Sequence, residues 1–588
     1  MIFPQTPSTP ADNQDSPQRS PMDGQENPRQ LKPLPLEYFD SEVVLKAHLS
    51  RMDEPTGPID IELHKARAQV LKVRIRDVEQ LRASMPYRSY DVDKEIATLR
   101  YRRKILLWVT FPIDELPVEI LSNVFRYVVW SSEGADQATR HRLYLTWVSR
   151  HWREVSIDDK TLWNSVWFRD KAPWTRSLAF LDRAGTAPLD LRINERERRP
   201  TDKRAPTKIT PYQIQFLLDR VLRKVDQIRI LVIVLDTWQS TLVALHKFSQ
   251  CGLPVSMERF ELHRTGKPFF WVAPSVPFRD IITPVVLCRE TLPKLKWLCL
   301  NGISVDWYRL PLTNLTTIDI RRIVPVEAPD SNRWVEMLKA SPNLFKLALD
   351  AAWPQPVDDM AAVQRVELPH LRDFLLGDMN LTCAMFVLAH MHAPRVMNLA
   401  LMNLGREDFG PLFQAITGHF TQIKLLSIYT VEIARTAVNR RIMVKWMESM
   451  PHLRMLKIAQ AQTHLLKMFL ENPHDYRDPD EMDCNPTAPD GLPPPRPVLC
   501  PKLDYLLFLS QDNDSVVALV EGRYAIGAPF SKLYIPQPHL PQVPEEIRRR
   551  LRMAVGEMLV TVNLALTPPE EEIHAEMAAS VEVTENSY

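Results

Sequence analysis

The sequence predicts an α/β protein in which a short helical module precedes a longer array of stacked strand–helix units, with parallel strands inside and helices outside. From residue 225 onwards, an apolar-x-x-apolar-x-apolar pattern returns many times, and helical patterns fill the gaps between its copies. Ahead of the array, residues 109–168 carry large apolar side chains at helical spacing, but the segment is too short to bury them alone.

The repeated pattern marks the strands of the array. Between residues 295 and 453, successive copies begin 20 to 30 residues apart. The copies begin at Leu295, Leu315, Leu344, Leu371, Val396, Ile423, Leu453, Leu503 and Phe530, with weaker ones at Ile228 and Met257. A period of this length with this pattern is typical of leucine-rich repeats, which residues 172–566 resemble. The asparagine that many such repeats carry after the strand is missing from this sequence, so we expect degenerate units with varied helical sides.

The helical module opens at Leu116-Pro117, because proline fits the first helical position, where its missing N–H costs nothing. A stripe at helical spacing follows it: Ile120, Leu121, Val124, Phe125 and Val128. A second helix is expected to place four residues on one face: Leu145, Val148, Ser149 and Trp152. Leu162-Trp163 then follows on a short third element.

This segment resembles the F-box, the helical module that docks a substrate receptor onto the Skp adaptor of a cullin ubiquitin ligase. The resemblance rests on Leu116-Pro117, Glu119-Ile120-Leu121, Val124-Phe125, Val148-Ser149-Arg150, Trp152-Arg153 and Leu162-Trp163. The chain departs from the family at Ser149, where cysteine is frequent, and at Thr161, where proline is frequent. The polar link 131–142 is also longer than usual, but no departure removes a large apolar residue.

The resemblance implies a non-catalytic substrate receptor of an SCF-type ligase, which binds the Skp adaptor, and through it a cullin, by the F-box and a target protein by the repeats. The expected adaptor-binding residues are Leu116, Pro117, Ile120, Leu121, Phe125, Val148, Trp152, Leu162 and Trp163. Some of them must also pack the module itself. Two alternatives stay open: an F-box protein that does not direct degradation, and a leucine-rich-repeat scaffold whose three helices pack on the rest of the chain.

The strand phase predicts a target-binding surface on the concave side of the sheet. Alternate side chains of a strand point to opposite faces, so if Leu298 and Leu300 face the core, Trp297 faces the concave side. Aromatic and arginine side chains dominate binding hot spots. The residues in this phase that we expect to bind a target are Trp297, Arg321, Tyr429, Tyr505 and Tyr534. Binding of the target by loops or by the disordered tail is the alternative.

Composition disfavours several other functions. The 588 residues carry a net charge of +1, so no global field draws the chain to nucleic acid or an anionic membrane. The six cysteines show no CxxC pair or metal spacing, and the sequence holds no HExxH, GxSxG or GxGxxG motif. We therefore expect no enzyme activity, catalytic residue, metal or cofactor. The sparse cysteines and the lack of a signal or membrane-spanning stretch favour a cytoplasmic or nuclear protein.

The remaining segments flank the module and the array. Residues 1–40 are rich in proline and polar residues and predict a disordered tail, with Ser/Thr-Pro pairs at Thr6, Thr9, Ser16 and Ser20. Residues 41–108 predict a helical lead-in, a hairpin broken at Pro86. Residues 567–588 are acidic and predict a second disordered tail.

Overall fold

The structure is a computed structural model that describes residues 61–85, 89–109, 113, 116–132, 134–195, 208–266, 284–287, 290–303, 305–323, 327–354, 365–405, 407–476, 497–561 and 566–585. The predicted N-terminal tail with its Ser/Thr-Pro pairs, and the break at Pro86, lie outside these residues. The chain divides into two compact units, Met1–Leu116 and Pro117–Tyr588.

The first unit contains a helical hairpin. Helix α1 (Ile61–Ser84) packs on helix α2 (Tyr90–Val109) through a small apolar cluster of Val78, Ile96 and Leu99. Ion pairs join the two helices at Arg74–Glu95, Arg82–Asp93 and Arg100–Glu79. Their partners are largely exposed to solvent, so the apolar cluster supplies most of the hairpin's stability.

The second unit opens with three short helices, α3 (Val118–Trp130), α4 (Ala135–Val148) and α5 (Arg150–Asp158). The sequence predicted one continuous helix where α4 and α5 stand. The chain instead breaks at Ser149, whose backbone is extended and whose Oγ accepts the Trp152 N–H at 3.1 Å. Serine is a strong N-cap, so it starts a new helix rather than continuing the old one.

One parallel sheet runs through the rest of the unit, and fourteen strands of the described chain build it in sequential order. They are β1 (Ser165–Phe168), β2 (Leu189–Asn194), β3 (Ile228–Leu235), β4 (Arg259–Arg264), β5 (Trp297–Asn301), β6 (Thr317–Arg321), β7 (Lys346–Asp350), β9 (Asp373–Gly377), β11 (Asn398–Leu404), β12 (Leu425–Val431), β13 (Met455–Ala459), β14 (Tyr505–Leu509), β15 (Lys532–Pro536) and β16 (Glu557–Thr561). Strands β8 (Val366–Glu367) and β10 (Met391–His392) form a separate pair.

Helices alternate with these strands along the chain. They are α6 (Thr175–Arg183), α7 (Pro211–Val221), α8 (Trp238–Cys251), α9 (Ser331–Lys339), α10 (Leu381–Ala389), α11 (Gly410–Ile416), α12 (Ala437–Glu448), α13 (Thr463–Met468), α14 (Asn513–Ala525), α15 (Glu545–Ala554) and α16 (Pro568–Glu585). Apart from α16, these helices pack their apolar sides on one face of the sheet; for example, the rings of Phe248 in α8 and Phe260 in β4 lie 5.4 Å apart, edge to face. We call the opposite face of the sheet the inner face.

The predicted repeat sets the register of the sheet. Leu298 pairs with Ile318, which pairs with Leu347, and the same buried position continues through Phe374 and Leu399. The residues that open the predicted copies from Leu295 to Phe530 are likewise buried. The structure therefore confirms the predicted fold class, an α/β solenoid of parallel strands with intervening helices.

The units from β5 to β14 of the main sheet share a left-handed turn at the end of the strand, which we call the strand exit. A positive φ occurs at Gly302, Arg322, Ala351, Asp378, Asn403, Thr430, Gln460 and Ser510. At the exits of β5, β6, β7 and β9, the backbone N–H of the exit residue donates to the next unit, as from Arg322 to the Asp350 oxygen at 2.7 Å and from Asp378 to the Met402 oxygen at 2.9 Å. Backbone hydrogen bonds thus link neighbouring units where other repeats use an asparagine side chain.

Two predicted boundaries need correction. The sheet begins at β1, inside the segment 109–168 assigned to the module, because Val166 and Phe168 pair in register with β2. The acidic segment 567–588 was predicted to be disordered, yet Pro568–Glu585 is the helix α16. Ile573 and Met577 of this helix are fully buried. A prediction of disorder from composition considers the segment without its surroundings. In the structure, apolar side chains and cations of the sheet pack against the helix and stabilise it.

Candidate protein-binding surfaces

The three-helix module has a compact core made from half of the predicted adaptor-binding residues. Leu121 and Phe125 of α3 are fully buried, as are Leu162 and Trp163 after α5. Trp152 of α5 is half-buried and lies against Phe125, with ring centroids 4.8 Å apart. Trp163 also lies against Phe180 of α6, with ring centroids 4.9 Å apart. Because the four fully buried side chains are packed inside the chain, they shape the module and do not offer free surface to a partner.

A buried carboxylate fastens the end of the module to its first helix. Asp159 accepts hydrogen bonds from Arg126 Nε at 2.8 Å, from the Thr161 N–H at 3.1 Å and from the Ser122 hydroxyl. Burial opposes ionisation, but the hydrogen bonds from Arg126, Ser122 and Thr161 hold the pKa of Asp159 below its ordinary value. Sequence reasoning missed this group because none of its members belongs to an apolar pattern.

The other predicted adaptor-binding residues lie towards solvent. Pro117 is exposed at the N-cap of α3, and Leu116 before it is half-buried. Ile120 is 49% exposed and Val148 is 59% exposed. These two belong to a larger set of exposed apolar side chains on α3 and α4, which we call the module surface: Ile120, Val124, Tyr127, Tyr144, Trp147 and Val148. Helical spacing groups the first three along α3 and the last three along α4.

The N-terminal half of the inner face, strands β4 to β7, carries ion pairs formed within single strands. Arg321 donates to Asp319 through two nitrogens, at 2.6 and 2.9 Å. Arg259 donates to Glu261 at 2.7 Å, and its guanidinium lies 4.1 Å from the ring centre of Trp297. Of the predicted target-binding residues, Trp297 and Arg321 lie here, and both are half-exposed.

The C-terminal half of the inner face, strands β11 to β15, is covered by helix α16. Ile573 and Met577 of this helix pack in one buried cluster with Met455, Leu507 and Tyr534 of the sheet. Tyr534, predicted as a target-binding residue, is therefore only 1% exposed. The strand phase placed it on the correct face, but the returning helix removes it from solvent.

Ion pairs hold the same helix on the sheet. They are Lys424–Glu576, Arg454–Glu572, Arg454–Glu576 and Lys457–Glu570. Lys457 Nζ lies 2.6 Å from Glu570, whose other oxygen accepts the Thr567 N–H at 2.9 Å at the start of the helix. Although burial opposes ionisation, Lys457 and Thr567 hold the pKa of Glu570 below its ordinary value.

The two remaining predicted target-binding residues lie in this covered half. Tyr505 is half-buried and packs against the cluster of Ile573 and Met577. Tyr429 is half-buried on the neighbouring strands, where burial raises the pKa of its hydroxyl. The structure thus separates the five predicted residues into two groups, with the three tyrosines beneath or beside α16.

Among the described residues, no group of three or more His, Cys, Asp or Glu side chains could hold a metal ion. No helix in the same residues has both the length and the apolar character needed to cross a bilayer.

Comparison with known proteins gave only weak similarity. No family model and no curated protein matches the chain. Among solved structures, the leucine-rich repeat-containing protein LegL7 from Legionella pneumophila matches with 11% identity and a TM-score of 0.28, over 66% of this chain and 98% of that one. A Bacteroides fragilis protein matches with 11% identity and a TM-score of 0.24, over 60% of this chain and 71% of that one. The repeat assignment therefore rests on the strand register and buried pattern of this chain.

Proposed function

We propose that this chain is the substrate receptor of an SCF-type cullin ubiquitin ligase. The three-helix module binds the Skp adaptor, which connects the chain to a cullin, and the inner face of the solenoid binds a target protein. The receptor carries out no bond chemistry. It raises the local concentration of the target near the ubiquitin-conjugating enzyme, which makes an otherwise bimolecular encounter effectively intramolecular.

The exposure of the module surface is the observation that carries this proposal. Trp147 is 64% exposed, Val148 59% and Tyr127 75%, on helices whose other sides are packed. Scattered apolar side chains are normal on a protein surface, but several large ones on one small module indicate an interaction site. The F-box resemblance names the adaptor as the partner, and the exposed part of the predicted set, Pro117, Ile120 and Val148, is where that partner docks.

A matched pair of variants tests adaptor binding. Val148→Asp places a charge within the module surface, while Val438→Asp places the same charge on α12, where Val438 is also exposed. A carboxylate buried without a partner in an apolar interface costs about 2 kcal/mol or more. We expect Val148→Asp to lose co-purification with the Skp adaptor while the melting temperature stays at that of Val438→Asp.

Equal adaptor binding by the two variants would assign the module surface to another role and leave the chain as a repeat scaffold. Target half-life in cells that carry Val148→Asp then separates a degradative receptor from a non-degradative F-box protein. A degradative receptor predicts a longer half-life of proteins that co-purify with the wild-type chain.

A further inference from the structure

A cavity of about 260 Å³ is lined by helix α4 on one side and by strands β1 to β4 on the other. Four arginines line it: Arg142 from α4, Arg176 from α6, Arg192 from β2 and Arg259 from β4. Among the described residues that line the cavity, Asp190 is the single carboxylate. The lining therefore has a clear excess of positive charge.

Arg142 is the most unusual of these residues. It is 6% exposed, and its Nε has no hydrogen-bond acceptor among the described residues. Its guanidinium carbon lies 5.9 Å from the centre of the Phe180 ring, which offers no hydrogen bond that could replace water. Burial lowers the pKa of Arg142 to about 10, so the side chain still carries its charge at neutral pH. A buried charge without a counter-ion costs several kcal/mol, which makes an external anion the natural partner.

The one carboxylate among the described lining residues, Asp190, cannot supply that counter-ion, because it is already paired. Asp190 accepts two hydrogen bonds from Arg229, at 3.0 and 2.6 Å. Arg259 is likewise paired, with Glu261. The lining's only carboxylate is therefore neutralised from outside the cavity, and it leaves Arg142 uncompensated.

Arg192 is the second arginine with unused hydrogen-bonding capacity. Its guanidinium lies 4.6 Å from the centre of the Trp167 ring, and it forms no ion pair within the described chain. Arg169 also lies over Trp167, at 4.5 Å. Because two guanidinium groups already engage this ring, the site is poorly suited to a stacked nucleobase.

We propose that this cavity binds a small phosphorylated anion, whose phosphoryl oxygens accept hydrogen bonds from Arg142 and Arg192. The guanidinium fork matches pairs of phosphate oxygens better than any other side chain. Pockets for larger organic ligands commonly span about 300 to 1,000 Å³, so this cavity fits an anion of the size of pyrophosphate or a small sugar phosphate. The anion joins α4 to β2 and so fastens the three-helix module to the sheet. The site does not depend on the proposed ligase function.

Pyrophosphate is the probe for this site. It is titrated into the full chain by calorimetry, at an ionic strength held constant with chloride, and thermal melts follow in the same buffers. We expect saturable binding and a rise in melting temperature with pyrophosphate, because a ligand that binds only the folded state stabilises it. The absence of saturable binding at millimolar pyrophosphate overturns the proposal.

Two arginine variants locate the binding. Arg142→Met should weaken pyrophosphate binding roughly tenfold or more. Without ligand it should melt at or above the temperature of the wild type, since an uncompensated buried charge is gone. The control is Arg220→Met on α7, where the guanidinium also lies over a phenylalanine ring, Phe216 at 5.2 Å, but outside the cavity. Equal affinities of Arg142→Met and Arg220→Met overturn the assignment.

Because Arg192 is exposed, its substitution is not expected to disturb folding. Arg192→Met should weaken pyrophosphate binding as Arg142→Met does, and unchanged affinity overturns the role given to Arg192. A phosphoserine peptide is tested as a competitor. Competition by the peptide at lower concentration than pyrophosphate overturns the small-molecule assignment and gives the site to a phosphorylated protein instead.

Discussion

The two halves of the inner face share the same strand phase and register but neutralise their charges in different ways. In the N-terminal half, Arg259 and Arg321 pair with carboxylates two residues away on their own strands. In the C-terminal half, Lys457 and Arg454 pair with glutamates more than a hundred residues away, on α16. The arginines of the first half are therefore neutralised within their own strands, whereas the cations of the second half are neutralised by glutamates near the end of the chain.

The comparison shows that a strand pattern fixes which face a residue occupies but leaves its accessibility open. Trp297 and Tyr534 occupy the inner face in the same phase, yet Trp297 is half-exposed and Tyr534 is buried. Target recognition through the N-terminal half requires no rearrangement. Recognition through the C-terminal half requires α16 to leave its cluster and its ion pairs.

The largest effect is expected from a charge placed beneath α16. Ile573→Asp buries an unpaired carboxylate in the cluster with Met577 and Tyr534, which should cost about 3 kcal/mol or more. Hydrogen exchange of Pro568–Glu585 should then accelerate strongly, while exchange in β5 and β6 stays unchanged. Ala578→Asp is the control, since Ala578 lies on the exposed side of the same helix. Slow exchange of the helix in both variants would contradict the description of the covered half.

Acidification should also distinguish the two halves. The pKa values of Glu570 and Glu576 are both lowered by their sheet cations, Glu576 chiefly through Lys424. A carboxyl with a lowered folded-state pKa stabilises the fold above its unfolded pKa of about 4.3. It loses that contribution as pH falls through the folded-state pKa. We expect α16 to detach as the pH falls below about 4.3, ahead of the strands that carry Trp297.

Hydrogen exchange across this pH range measures the effect, with Glu570→Gln as the reference variant. That variant removes the titrating group, so its helix should be less well attached at neutral pH and less sensitive to acid. Identical pH profiles for the wild type and Glu570→Gln would assign the acid response to other groups.

A smaller stability effect but a clear functional one is expected in the N-terminal half. Trp297→Ala removes the half-exposed ring that lies under Arg259 and should cost about 1 kcal/mol or less of a cation–π contact. If this half recognises the target, affinity purification with Trp297→Ala should recover the Skp adaptor but lose target proteins. Tyr212→Ala, at an exposed position on α7, should retain both. An unchanged set of partners would move recognition to the covered half.

The smallest effect concerns the strand exits. Thr430 and Asn403 occupy equivalent exits, with φ of 52° and 54°. A β-branched residue is strained in this region, whereas asparagine tolerates it. Thr430→Gly should therefore raise the melting temperature relative to Asn403→Gly, by an amount that reflects roughly 1 kcal/mol. Equal melting temperatures would show that the hydrogen bond from Thr430 to Gln460 already offsets the strain.

The sequence predicts the strands and helices that are marked by a short spacing between apolar residues. Leu298 and Leu300, like Leu347 and Leu349, predict a strand because alternate side chains of a strand point to the same face. The copies of this pattern also recur at similar distances along the chain. The helical spacing of Ile120, Leu121, Val124, Phe125 and Val128 likewise predicts α3.

The features that remained hidden depend on residues far apart in the chain. The pairing of Asp159 with Arg126, the burial of Tyr534 under α16 and the isolation of Arg142 each follow from tertiary packing. Ser149 shows the same limit locally, since a serine within an apolar helical pattern gives little sign of being a cap. Half of the predicted adaptor-binding set lies inside the module because an apolar pattern marks core and docking residues alike.

At the strand exits, the side chain can vary from unit to unit while the fold of the solenoid stays the same. Eight different kinds of residue, from glycine and arginine to glutamine and serine, occupy one backbone conformation, and at four of them the hydrogen bond that joins the units comes from the main chain. The side chain at these positions can therefore differ while the backbone keeps the same conformation. A row of such positions runs along the ends of the parallel strands, where single substitutions can change the side chain while the solenoid keeps its register.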